Sequence, residues 1–312
     1  MNKISFLLSA TLIATILNSC NNGTNTPTQG KQKIYIDESY SQLFSSEVAS
    51  FEGFYKNADL DDRYKPEGEI INDFLTDSCR MIVISRDLNQ KEKEFLASKK
   101  SFPKSIKIGV DAMAFITHKN NPVKNLTYNE LKNIFIKKIT KWKELDSSIK
   151  NKDPQDTSIT ILFDNEKSSN VRMVKEKLLD GGNIPTSLFA VHSNSEVVDY
   201  VSKNKSAIGI IGVNWISDSD DTLTTRFLNK VNVLAIESQI EPGEFVQPYQ
   251  AYIYNKEYPF CRDIYIINGE GKTGLGEGFA AFVAGEKGQL IILKAGMVPA
   301  TQPVRMVTIT NK

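Results

Sequence analysis

KIGVDAMAFITHKNNPVKNLTYNELKNIFIKKITKWKEL, residues Lys107 to Leu145, carries the densest structural punctuation in the chain. Ile108, Val110, Met113, Phe115 and Ile116 predict a strand, and Asn120-Asn121-Pro122 a turn. Thr127 and Glu130 have the spacing of a capping box, with Leu126 and Leu131 at the two positions of a hydrophobic staple. Leu131, Ile134, Phe135 and Ile139 then share one face of the helix this cap begins. Asp111 stands inside the apolar strand, where a charge is costly unless a partner meets it.

Working outward, the chain has 312 residues, enough for two lobes with separate cores. Hydrophobic residues make up 40% and charged residues 24%, with a formal net charge of +1. That balance gives no basis for nucleic-acid binding, which rests on neutralising phosphates. At the N-terminus, Lys3 precedes an apolar stretch from Ile4 to Leu17, too short to span a bilayer. It ends in Leu17-Asn18-Ser19-Cys20, which resembles a bacterial lipobox, although Asn18 is larger than the usual residue there. The expectation is a signal peptide over 1–19, lipidation of Cys20, and a flexible tether over 20–32.

Between these ends, strands alternate with helices. Lys33 to Ile36 predicts a strand leading into Asp37-Glu38-Ser39-Tyr40, then a helix from Ser41 to Tyr55, a polar loop through Pro66, and a helix carrying Ile70, Ile71, Phe74 and Leu75. Arg80 to Ile84 predicts a strand that delivers Ser85-Arg86-Asp87-Leu88, with Asn89 and Glu92 at cap spacing. Ile159 to Phe163 runs into the polar loop Asp164 to Asn170 and a helix bearing Val171, Val174 and Leu178. A strand, a polar loop and a helix N-terminus in succession form an anion-binding arrangement, because unpaired N–H groups and the helix dipole face the ligand. Ser193 and Glu196 mark another capped helix, Ala207 to Val213 a buried strand, Leu228 to Ile236 a further strand, and Tyr249 to Tyr254 a return crossing. Cys79 and Cys261 read as buried thiols, with a disulfide as the alternative, and His192 reads as a packing residue. Neither the cysteines nor the two histidines have metal-ligand spacing. Gly269-Glu270-Gly271-Lys272-Thr273 lacks the four-residue gap of a phosphate loop, and no nucleophile elbow is present. The reading is therefore a binding protein without cofactor or metal, and not an enzyme.

The embedded Asp111, then Asn121-Pro122-Val123, Leu126-Thr127, Glu130-Leu131, Ile134-Phe135, Ile139-Thr140 and Trp142, resembles the domain crossover of PstS-like phosphate-binding proteins. Tyr258-Pro259-x-x-Arg262 and the closing run from Gly278 to Pro299 extend that resemblance over roughly Lys33 to Ala300. It implies an α/β, two-lobed periplasmic-binding-protein fold of type II, with two hinge crossovers between mixed-sheet lobes. The lobes would comprise 33–112 plus 249–312, and 113–248. It also implies capture of a small oxyanion, phosphate, by a monomer that serves an ABC importer and faces the periplasm or exterior on a lipid anchor in the cell envelope. By position, the ligand donors would be Ser39, Tyr40, Ser85, Ser168, Ser169 and Asn170. Arg86 is either a donor or a brace for its loop, and Asp111 a hinge carboxylate. Asp37, Glu38 and Asp164 depart from the family pattern, Asp164 standing where relatives carry Arg. Arg86 and Arg172 offset them if they turn inward; otherwise the ligand is a neutral or cationic solute, or the protein is a surface sensor not coupled to transport.

Overall fold

A computed structural model describes residues 25–146, 158–185, 188–217, 227–271 and 273–301. The chain enters as β1 (Gln29–Asp37), turns through Glu38–Tyr40, and continues as α1 (Ser41–Phe54) and β2 (Asn57–Lys65). Then come α2 (Glu67–Leu75), β3 (Met81–Ile84), α3 (Gln90–Ser98) and the 15-residue β4 (Lys104–His118). The second lobe is built from β5 (Asn125–Leu126), α4 (Tyr128–Phe135), β6 (Thr160–Phe163), α5 (Ser169–Leu178), β7 (Leu188–Ala190), α6 (Asn194–Lys203), β8 (Ala207–Gly212) and α7 (Asn214–Ser217). β9 (Val231–Val233), β10 (Ala235–Glu237) and β11 (Phe245–Val246) follow. The chain then closes with α8 (Gln250–Tyr254), β12 (Cys261–Asn268), α9 (Leu275–Ala284), α10 (Glu286–Lys294) and β13 (Val298–Pro299).

β4 is the spine. Its first part, Lys104 to Ala112, pairs antiparallel with β12, and its second, Met113 to Thr117, pairs antiparallel with β8. One strand thereby joins two mixed half-sheets in the order β2-β1-β3-β12-β4-β8-β6-β7. β13 and β9 also pair with β4, β13 at Gly109 and Val110 and β9 at the C-terminal end. Gly109 is required where β13 crosses, because a Cβ there would stand 2.8 Å from the Val298 carbonyl oxygen. The return segment is fastened to the spine: Met113 N donates to Phe260 O, and Tyr258 Oη donates to Met113 O, both at 2.9 Å.

Packing follows the apolar periodicity. In the first lobe, Phe51 meets Phe279 and Phe282 edge-on at 5.3 and 5.4 Å, locking α1 against α9. In the second, Phe115 lies between Phe135 and Phe260. Thr127 and Glu130 form the expected reciprocal cap, and Leu126 and Leu131 are both buried. Gly209 lets α6 lie directly on β8, since a Cβ would fall 2.5 Å from a Val197 methyl.

Several expectations are corrected. The tether reading over 20–32 ends too late, because β1 begins at Gln29; β2 pairs with it in parallel, residue for residue, and supplies backbone bonds that polar side chains do not advertise. β2 itself replaces the expected polar loop. It is an edge strand with outward charges such as Asp59 and Asp61, and charged edges discourage further pairing. α4 stops at Phe135, and Lys137 in the left-handed region (φ 60°) leaves Ile139 beyond the helix. The run Leu228 to Ile236 breaks at Leu234, so that β9 joins β4 and β10 joins β5. Tyr249 to Tyr254 is largely the short helix α8. Ser193 caps α6, but the Glu196 carboxylate accepts from His192 N rather than from the cap. Cys79 and Cys261 are free thiols. Residues 1–24, including Cys20, and Lys272 lie outside the described residues.

Candidate functional site

Five chain turns meet between the lobes. β1 ends in Asp37 and the turn Glu38–Tyr40; β3 ends at Ser85; α2 begins with Glu67. Facing them, β6 ends before Asp164, α5 begins after its N-cap Ser168, and α6 begins with Asn194. Beneath all of these lie Asp111 of β4 and Arg262 of β12, directly opposite each other across the strand pair.

Arg262 is the centre of the hinge-side network and is buried. Its Nε donates to Asp111 Oδ2 at 2.9 Å, and its Nη2 lies 2.8 Å from the same oxygen. Nη1 donates to Ser169 Oγ and to Asn170 Oδ1, each at 2.9 Å. The guanidinium carbon stands 5.5 Å from the Tyr40 ring centroid, a cation–π contact. Ser169 Oγ is 3.3 Å from Ser39 Oγ, so the two lobes touch hydroxyl to hydroxyl. Asp164 points inward: its Oδ2 accepts from Asn170 Nδ2 at 3.1 Å and from Asn194 Nδ2 at 3.3 Å. Asn194 Nδ2 also donates to Glu38 across the gap.

A second bridge spans the lobes nearer the rim. Glu67 Oε2 accepts from Ser85 N at 2.9 Å and from the Ser85 hydroxyl. Glu67 Oε1 accepts from Arg172 Nε at 2.6 Å, and Arg172 Nη2 donates to Ser85 Oγ at 2.7 Å. Arg172 Nη1 is held by Glu176, and Gly68 N donates to Lys167 O at 2.9 Å beside the bridge. Grooves of about 710 Å³ and about 620 Å³ flank it, and Arg86 and Arg172 line both.

The charges of the interface are weighted toward acid: buried Asp37, Glu67, Asp111 and Asp164 and half-buried Glu38 face buried Arg262 and half-buried Arg172. Burial, reinforced by the Glu67 charge, pushes the Asp37 carboxyl up to about 7. Burial, reinforced by Asp164, pushes Glu38 up to about 8. Burial likewise raises Asp164. For Glu67 burial acts upward too, but the Arg172 guanidinium and the bonds from Arg172 and Ser85 outweigh it and hold the carboxyl below its ordinary range. Burial alone would lower Arg262, yet Tyr40, Asp111 and Asp37 drive it well above the usual arginine range, so it stays charged. Among the described residues no cluster of three His, Cys, Asp or Glu side chains is arranged for a metal ion.

Of the residues singled out by sequence, Ser39, Tyr40, Ser85, Ser169 and Asn170 gather in this interface, all buried. Ser168 is adjacent, with its hydroxyl engaged by Val171 N at 3.2 Å as the cap of α5. Arg86 takes the bracing role: it forks onto Glu92 at 2.7 and 2.8 Å and reaches Asp87 O. Arg172 does turn inward. Sequence reasoning did not single out Glu67, Asn194 or Arg262 as site residues. For Arg262 a signal existed: a lone Arg in an apolar strand is the natural partner for the embedded Asp111. An acid opening a helix reads as ordinary dipole compensation, which concealed Glu67.

Two mixed α/β lobes on a shared strand, with helix N-termini and hydroxyls facing a cleft at the crossovers, define a two-lobed periplasmic-binding-protein-like fold of the type II architecture. The chain belongs to the PBP superfamily, whose domain model matches residues 22–287. It is 24% identical over 213 residues to the phosphate-binding protein PstS of Staphylococcus epidermidis, covering 68% of this chain and 60% of that one. To PstS of Pseudomonas aeruginosa it is 23% identical over 229 residues, covering 69% and 66%. The chain thus spans about 60% of the length of the first of these relatives. Among solved structures it is similar to a protein from Clostridium perfringens described as a phosphate ABC transporter substrate-binding protein with bound phosphate. The TM-score is 0.72 at 23% identity, covering 87% of this chain and all of that one. An ABC-type phosphate transport receptor from Vibrio cholerae gives a TM-score of 0.63 at 18% identity, covering 86% of this chain.

Proposed function

We propose that this chain captures a small oxyanion, inorganic phosphate, between its lobes and presents it to an ABC importer. The lobes in this reading are 33–112 plus 249–312 and 113–248, hinged where β4 and the return segment cross. The observation that carries the reading is the convergence of Ser39, Ser85, Ser169, Asn170, Arg172 and Arg262 from both lobes on one buried interface, at the N-termini of α2 and α5. Hydroxyls, amides and guanidiniums are the donor set an oxyanion needs, and closure of two lobes around it is a shape an importer can read. The names of the relatives point the same way. The protein acts as a monomeric binder rather than a catalyst, anchored through Cys20 and facing outward from the cell envelope. A Cys20→Ser chain that leaves the membrane fraction supports the anchor, and one that stays contradicts it.

One observation favours a second reading. Asp37 and Asp164 lie buried at the same interface, with the half-buried Glu38 beside them. Once such an acid is ionised, a like-charge contact at about 4 Å opposes anion binding by about 4 kcal/mol at intermediate dielectric. A cationic or neutral solute would meet those acids without that opposition. Calorimetry with phosphate, sulfate, amines and sugars separates the two: saturable heat with phosphate supports capture of an oxyanion, and heat only with amines or sugars supports the alternative.

A further inference from the structure

Glu67 is the first residue of α2 and is 1% exposed, yet its carboxylate is not idle. Three kinds of donor converge on it: the Ser85 amide, the Ser85 hydroxyl and the Arg172 guanidinium, the last from the opposite lobe. A second cation, Arg86 Nε, stands 4.0 Å away. A backbone N–H, a hydroxyl and a fork of guanidinium donors around two oxygens form an oxyanion cradle. The chain fills that cradle with its own carboxylate.

We propose that Glu67 is a resident counter-ion in the oxyanion position of the cleft, which an incoming dianion displaces from Ser85 and Arg172 and a monocarboxylate does not. The inference rests on the oxyanion-capture reading for its ligand, but the cradle stands on geometry alone. Arg172 is held independently by Glu176, so its guanidinium stays in place when Glu67 leaves. Glu67 lines the larger groove together with Lys65, Lys167 and Lys175, which gives the displaced carboxylate both room and cations to meet. A monoanion entering the cradle offers Arg172 and Arg86 only the charge they already face. A dianion offers one more, so the exchange selects for it. The same contact ties α2 to α5, so Glu67 also helps hold the lobes together.

The test uses the mature chain with Glu67→Ala, which vacates the cradle, and Glu67→Gln, which keeps the side-chain shape and drops its charge. Glu69→Ala, removing an exposed acid that pairs with Lys167 beside the cradle, is the control for net charge. Calorimetry is expected to show phosphate binding to Glu67→Ala and Glu67→Gln tighter than wild type by about tenfold or more, a gain of about 1.4 kcal/mol, with Glu69→Ala near wild type. Millimolar acetate is expected to raise the melting temperature of Glu67→Ala only, by refilling the cradle. Wild-type phosphate binding that Glu67 substitution leaves unchanged or weakens overturns the inference and leaves the function standing, as does a Glu67→Ala chain indifferent to acetate. If acetate is held by Glu67→Ala while no form binds phosphate, the cradle stands and the phosphate reading falls.

Discussion

The cleft is bridged twice, and the two bridges are built differently. At the hinge side, Asp111 and Arg262 belong to adjacent strands of one lobe, paired by sheet register before the second lobe arrives. Arg262 then lends its remaining donors to Ser169 and Asn170 across the gap. At the rim, Glu67 and Arg172 come from different lobes and meet only when those lobes are together. The first bridge is part of the fold and the second part of closure. A buried ion pair contributes little over a well-packed apolar pair, but breaking one end of it is severe. Damage to the hinge bridge therefore belongs to stability, and damage to the rim bridge to binding.

The largest expected effect follows directly. Arg262→Ala leaves Asp111 buried without its counter-charge and is expected to lower folding stability by about 3–5 kcal/mol, read by urea denaturation. Adding Asp111→Leu to Arg262→Met should recover much of that loss. If the double variant is no more stable than Arg262→Ala, the pair is not the unit it is taken to be.

Glu47 calibrates what a partner is worth. It is buried on α1, neither carboxylate oxygen has a hydrogen-bond partner among the described residues, and burial alone pushes its carboxyl up to about 9. The unfolded chain ionises this group near the ordinary Glu value, so the contribution of Glu47 to stability is most favourable below about pH 4 and declines as pH rises toward 9. Glu47→Leu removes that decline. It is expected to raise stability on the order of 3 kcal/mol at about pH 8 and little at about pH 4. Equal gains at both pH values would show that Glu47 is ionised in the fold.

Binding should titrate in the opposite sense from a cation site. Glu38, at about 8, and the lower Asp37, at about 7, lose protons as pH rises and return negative charge to the cleft. Between about pH 8.2 and 9.5, where inorganic phosphate is almost wholly the dianion, phosphate affinity is expected to fall by about tenfold. Affinity that rises over this window assigns the acids to a cationic ligand. The smallest effect is expected at Ser168, whose hydroxyl caps α5. Ser168→Ala should reduce stability by about 1 kcal/mol, with phosphate binding changing less than for Ser169→Ala.

The sequence was most legible where local rules and long-range packing agree. The cap at Thr127 to Glu130 and the buried strand Ala207 to Val213 both stand in the fold. Asp111 announced a missing partner, but Arg262 lies 151 residues away and only strand register brings them together. β2 was hidden because an edge strand with alternating charges imitates a loop. The candidate donors were visible as serines at strand ends. What occupies them was not, because Glu67 reaches Ser85 through the packing of α2 on β3 and meets Arg172 only where the lobes come together.

The central claim is that an oxyanion lies between the lobes, and crystals grown with arsenate test it most directly through arsenic anomalous scattering. The account predicts one strong peak in the cleft, within hydrogen-bonding reach of the Ser85 or Ser169 hydroxyl and of Arg172 or Arg262. Crystals saturated with arsenate that show no peak between the lobes, or peaks on the outer surface alone, would contradict it.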